Sequence, residues 1–178
     1  ALGRVVGTRY TLLEEFTHGM ERLDLPDPLQ RLPGWLSESL SGTQATIHGD
    51  LNLENVLVGP GGFVWLIDFA LTREGHTLFD FAHLGAELVA HLAAPQMAQP
   101  DEYLNFLQAV ISGCAHASPL LPLFQELQRV ASICLFNPSR PREFHLALAL
   151  ACLGALKFNN LDAHQKHLLY LTAAYLGQ

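Results

Sequence analysis

The chain has 178 residues, 49% of them apolar and 15% charged, with a formal charge of −7. That is one domain's worth of material, and it carries less charge than an average globular domain, where about 25% of residues are charged. The acidic balance, with no Lys/Arg cluster anywhere, excludes a general binder of nucleic acid or acidic membrane, which needs cations to displace phosphate counterions.

The first predicted element covers residues 8–20, where Tyr10, Leu13, Phe16 and Met20 recur at helical spacing. Pro26, Pro28, Pro33 and Gly34 then punctuate the chain, and Leu36 and Leu40 continue a short helix that stops at Gly42. Ala45 and Ile47 lead into a polar loop beginning at His48. Residues 55–58 and 63–69 are rich in Val, Ile, Phe and Trp and flank Gly59-Pro60-Gly61-Gly62, a pattern that predicts a β-hairpin with Trp65 at its surface or against a partner lobe. From residue 78 onward the expectation is helical throughout: 78–93, 101–115, 120–136, 142–159 and 163–176, with prolines at the breaks. The fold class that follows is α+β and mostly α, a single domain over residues 1–178.

The apolar run from Leu146 to Leu156 falls well short of the roughly 20 residues that cross a bilayer and reads as a core helix. Cys114, Cys134 and Cys152 are odd in number and form no CxxC pair, so free thiols in a reducing compartment, the cytoplasm, are expected. The chain starts without Met or an apolar signal core and reads as the cut end of a longer protein.

The chemistry concentrates in His48-Gly49-Asp50-Leu51-Asn52-Leu53-Glu54-Asn55 and in Ile67-Asp68-Phe69, thirteen positions further on. Asp50 can take a proton from a substrate hydroxyl if it stays ionised, although a lone loop aspartate more often caps backbone amides. Asn55 alone is more often a turn residue at a strand entrance. Asp68 ends a strand and has the apolar Leu66, Ile67 and Phe69 as neighbours. An unpaired charge is costly among buried apolar groups, and a bound cation would compensate it.

As a set, these stretches resemble the catalytic loop and metal-binding segment of the protein-kinase-like phosphotransferases, in the aminoglycoside and choline kinase branch that carries His-Gly-Asp. The resemblance implies a kinase-like C-terminal lobe with its hairpin beside the catalytic loop. It implies Asp50 as the catalytic base, Asn55 and Asp68 as ligands of Mg²⁺ or Mn²⁺ on the ATP phosphates, and His48 as structural support of the loop. The stretch from Gly75 to Ala82 is similar to the segment opening that family's central helix, where an aspartate, here Asp80, holds the loop by its backbone amides. Thr77 and Asp80 also read as a capping box on their own terms.

The departures are the missing glycine-rich strand-turn-strand, strand lysine and partner-glutamate helix, so the N-terminal ATP-covering lobe is absent, and Ala70 in place of a glycine. A fragment of this kind is expected to transfer little or no phosphate by itself. The expected partners are that missing lobe or other domains of the same chain, and a small-molecule acceptor or partner protein. Two further readings are a kinase-like binding module without turnover and a metal phosphohydrolase using His48, Asp50, Asp68 and His83.

Overall fold

The computed structural model describes residues 25–178; the helix expected over 8–20 lies outside them. Within that range the chain is α+β and mostly helical, six α-helices carrying two short antiparallel ribbons.

Helix α1, Pro28–Ser37, starts where Asp27 caps the Leu29 amide at 2.8 Å and Pro28 occupies the first turn. It runs through Pro33 and Gly34 and ends at Ser37, not at Gly42. Burial of Pro28, Leu29 and Trp35 on one face outweighs the hydrogen bond that Pro33 removes.

Strand β1, Gln44–Ile47, pairs with β4, Arg73–His76, with Ile47 opposite Arg73. The β4 sequence Arg-Glu-Gly-His has no strand-forming residues and was not expected as a strand. Its pairing is fixed by packing, because a side chain at Gly75 would collide with that of Ile47. Strands β2, Val56–Val58, and β3, Val64–Leu66, form the hairpin, with Leu57 opposite Trp65. The second strand is shorter than its apolar run, since the chain turns left-handed at Asp68.

Helix α2, Phe79–Leu88, continues into one wider π-type turn, Val89–Ala93. It is followed by α3, Pro100–Ser112, which Gly113 ends in a left-handed conformation, and by α4, Leu121–Ile133. Helices α5, Arg142–Ala155, and α6, Ala163–Leu176, complete the body.

A reciprocal cap between Asp162 and Gln165 sets the start of α6. Leu168 to Ala174 are buried without a break, so over this stretch the helix is enclosed on every side and runs through the core. Helix α5 packs against both α6 and α2. The Tyr170 hydroxyl donates to Asp27, tying the cap of α1 to α6, and Tyr103 of α3 meets Thr172 in full burial.

A second, smaller cluster, Leu78, Ala131, Leu135 and Phe144, lies beneath the junction of β4 and α2. There the Thr43 hydroxyl donates to the Cys134 carbonyl at 2.9 Å and takes a hydrogen bond from Thr77 at 2.6 Å. The capping role read for Thr77 is therefore not used. Its hydroxyl is spent on anchoring the ribbon, and α2 begins at Leu78 without a side-chain cap. No helix among the described residues is long and apolar enough to cross a membrane.

Candidate functional site

The loop that follows β1 is built by its own polar side chains. The Asn52 side chain accepts from the amides of Glu54 and Asn55, both at 3.0 Å, and starts the 3₁₀ turn Leu53–Asn55. Asn55, buried at the end of that turn, donates its side-chain amide back to the Asp50 carbonyl at 2.9 Å. With the NH₂ group committed, the oxygen of that side chain has no partner among the described residues and remains available to a cation.

Gly49 is required twice over. Its φ is +84°, and a side chain there would strike the Leu71 carbonyl and the Arg73 guanidinium. Arg73 itself donates to the Leu71 carbonyl at 3.0 Å and lies 4.9 Å above the Phe79 ring. Sequence reasoning passed over Arg73, because its place behind the loop depends on the unforeseen β1–β4 pairing.

Three contacts stitch the loop to the segment after the hairpin. His48 is buried, its Nε2 lies 2.8 Å from the Ile67 carbonyl, and its ring stands 4.9 Å from that of Phe69. The Ile67 amide donates to the Asn55 carbonyl at 3.1 Å. Asp68 follows directly, at φ 60° and ψ 62°, the sole non-glycine residue among those described with positive φ. Aspartate tolerates that region better than most residues, yet the conformation is unfavourable and of the kind that clusters at functional sites.

The environment of Asp68 differs from the sequence expectation. Leu66, Ile67 and Phe69 are exposed along with it, so burial supplies no penalty for a bound cation to relieve. What survives is positional: the Asp68 carboxylate makes no hydrogen bond or ion pair among the described residues, and its backbone is held in an unfavourable state beside Asn55.

Asp80, in the first turn of α2, accepts the amides of His48 and Gly49. One turn along the same helix face, His83 stacks on Phe79 at 4.5 Å. Its pKa lies below the ordinary value: burial disfavours the charged form and outweighs the nearby carboxylates of Asp50, Asp80 and Glu87. The i, i+3 spacing of Asp80 and His83 was the sequence signal for this placement. Asp50 itself is half-buried and close enough to His83 to bias it.

The set His48, Asp50, Asp68 and His83 does not converge as a hydrolase centre would need. His48 spends its Nε2 on the Ile67 carbonyl, and no three His, Cys, Asp or Glu side chains among the described residues are gathered as a metal site. The three cysteines are free.

A family model described as ternary complex associated domain 9 matches residues 2–153. No curated protein and no solved structure matches the chain.

Proposed function

The chain belongs to the ternary complex associated domain 9 family, and we propose that its polar loop is the catalytic half of a phosphotransferase that moves the γ-phosphoryl group of ATP to a hydroxyl acceptor. The observation that carries this reading is the stitching of loop 48–55 to segment 67–69. It sets a half-buried aspartate, an amide oxygen without a partner and a strained, unpaired carboxylate on two adjoining backbones.

In this reading Asp50 accepts the acceptor's hydroxyl proton as its oxygen attacks the γ-phosphorus. The bond from that phosphorus to its bridging oxygen breaks, and ADP leaves with the electron pair. Asn55 and Asp68 suit Mg²⁺, which takes one or two protein oxygens and completes its shell with phosphates and water. Bound there, Mg²⁺ would neutralise charge on the phosphate oxygens. Asp80 and His48 hold the loop in shape and touch no substrate.

The 178 residues include no glycine-rich phosphate cradle and no strand lysine ahead of His48. Transfer by these residues alone is accordingly expected to be slight, since each tenfold of rate needs about 1.4 kcal/mol of transition-state binding.

One observation favours a second reading, a binding module without turnover. On one side of the hairpin Leu57, Phe63 and Trp65 are 46%, 67% and 51% exposed, an apolar face of the kind that marks interaction surfaces. The family's description, which speaks of association with a ternary complex, is in keeping with it.

Paramagnetic resonance of Mn²⁺, with and without ATP, on this chain and on Asp68→Asn tests the first reading. Binding that requires ATP and vanishes in the variant is the expected result. ATP-dependent binding that survives Asp68→Asn would remove Asp68 from the metal site and the reading with it.

A further inference from the structure

A cavity of about 550 Å³ lies between α1, α2 and α5, large enough for a small organic ligand. Asp50, Asn55 and Asp68 do not line it. Small side chains make its wall, Ala82 and Ala86 from α2 with Ala147, Ala151 and Gly154 from α5. A side chain at Gly154 would meet nothing within 4 Å, and the residue lacks the positive φ for which glycine usually ends a helix. The space before it is open without a packing reason.

The charged groups around the cavity are unequal in number. Three carboxylates, Glu38, Glu87 and Glu143, line it against one ammonium, Lys157. Arg142 takes up Glu38 at 3.0 Å, whereas Glu87 has only His91 at 3.6 Å and Glu143 only His76 at 3.2 Å as basic partners among the described residues. A neutral imidazole does not cancel a carboxylate's charge, and the His76 ring is neutral, because its Nδ1 accepts the Leu78 amide at 3.2 Å. Glu143 is the most buried of the three acids, 7% exposed. One of its oxygens accepts the Phe136 amide at 2.9 Å, and the other is buried and makes no hydrogen bond among the described residues. A carboxylate held in this way is costly, and away from water its field reaches further than that of an exposed charge. Lys157 does not offset it, being exposed, set over the Phe158 ring at 5.0 Å and placed beyond the end of α5, while Glu143 lies in the first turn. The charge left over is therefore negative and belongs to the Glu143 end of the cavity.

We infer that this cavity binds a small organic cation, an ammonium group on an apolar body, with the ammonium at the Glu143 end and the body along the alanine and glycine wall. Glu143 and Gly154 are eleven residues apart on α5, about 16 Å at the helical rise per residue, so the ligand is elongated. Burial of the body supplies the affinity, and the unmatched carboxylate selects the sign of the charge. The site stands on its own chemistry, whether or not the loop transfers phosphate.

The test is a fluorescence titration with dansylcadaverine, whose naphthalene rings carry a pentyl arm ending in an ammonium, against N-pentyl dansylamide, which has the same rings and arm without the charge. Saturable binding of dansylcadaverine at one site is expected, at least about fivefold tighter than that of the neutral probe. Glu143→Gln, which keeps an acceptor for the Phe136 amide, should bring this preference below about twofold. Gly154→Leu, which fills the cavity, should weaken both probes at least about tenfold. A Phe63→Ser, Trp65→Ser double variant, which removes the exposed hairpin aromatics, should bind both as the parent does. The two probes on the parent chain decide the charge preference even if a variant does not fold. Absent binding, or a neutral probe held as tightly, overturns the inference, as do a preference that survives in folded Glu143→Gln and loss of binding in the hairpin variant.

Discussion

Asp80 holds His48 by its backbone and not by its ring: one carboxylate oxygen accepts the His48 amide at 2.6 Å while the other accepts the Gly49 amide at 2.9 Å. A single side chain thereby fixes two consecutive peptide planes at the entrance to the loop. Asp80→Ala leaves both amides without their acceptor and should cost about 2–4 kcal/mol, whereas Asp80→Asn, which keeps one acceptor, should cost about half as much. Urea unfolding of the two variants checks the order. Equal losses would mean that the carboxylate contributes through the helix start alone.

Gly49→Ala forces a side chain into a left-handed position and against the Leu71 carbonyl and Arg73. The expected loss is about 2 kcal/mol or more. Thermal unfolding measures it, and a midpoint within a degree of the parent would show that the loop can adopt another path.

Asp68 should separate stability from chemistry. Asp68→Gly relieves the positive φ and is expected to leave stability unchanged or raise it by up to about 1 kcal/mol. The same change should abolish ATP-dependent Mn²⁺ binding. A variant that is clearly destabilised would show that the carboxylate supports the fold, contrary to its lack of partners.

Three histidines make stability depend on pH. Burial lowers the pKa of His83, His145 and His167 from the ordinary 6.5, with Arg142 adding to the effect at His145 and His164 at His167. As pH falls through 6.5 the unfolded chain takes up protons first. This stabilisation is therefore complete above 6.5 and is lost as pH drops toward the lower folded values. Melting followed between pH 7.5 and 5.5 should show a falling midpoint, with a shallower fall in His145→Gln. A midpoint that rises with acid would contradict the burial of these rings.

How far the sequence led differs from element to element. The late helices and the hairpin were legible because proline breaks, apolar periodicity and the Gly-Pro-Gly-Gly turn are local signals. The β1–β4 ribbon was not, because Arg-Glu-Gly-His has no strand character and acquires its partner only when Gly75 lets Ile47 approach. Pro33 misled because its cost is local while the burial that outweighs it, at Trp35, depends on distant helices. At the site, the positions of Asp50, Asn55 and Asp68 were marked by spacing, but the burial assumed around Asp68 was wrong, since neighbouring apolar residues can all face outward on a two-stranded ribbon. The roles of Gly49 and Arg73 follow from close approach in three dimensions, which no single-residue pattern records.

The placement of α6 bears on how the molecule is made. A ribosome delivers this chain from its N-terminal side, yet the element around which the others close follows all of them in sequence. The cap of α1 has its tyrosine partner 143 residues downstream. Until residues 168–174 emerge, the faces that will cover them stand open to water and to other chains. Closure of the core thus waits for residues 168–174, and loss of α6 would strip support from α1, α3, α5 and the π-type turn after α2.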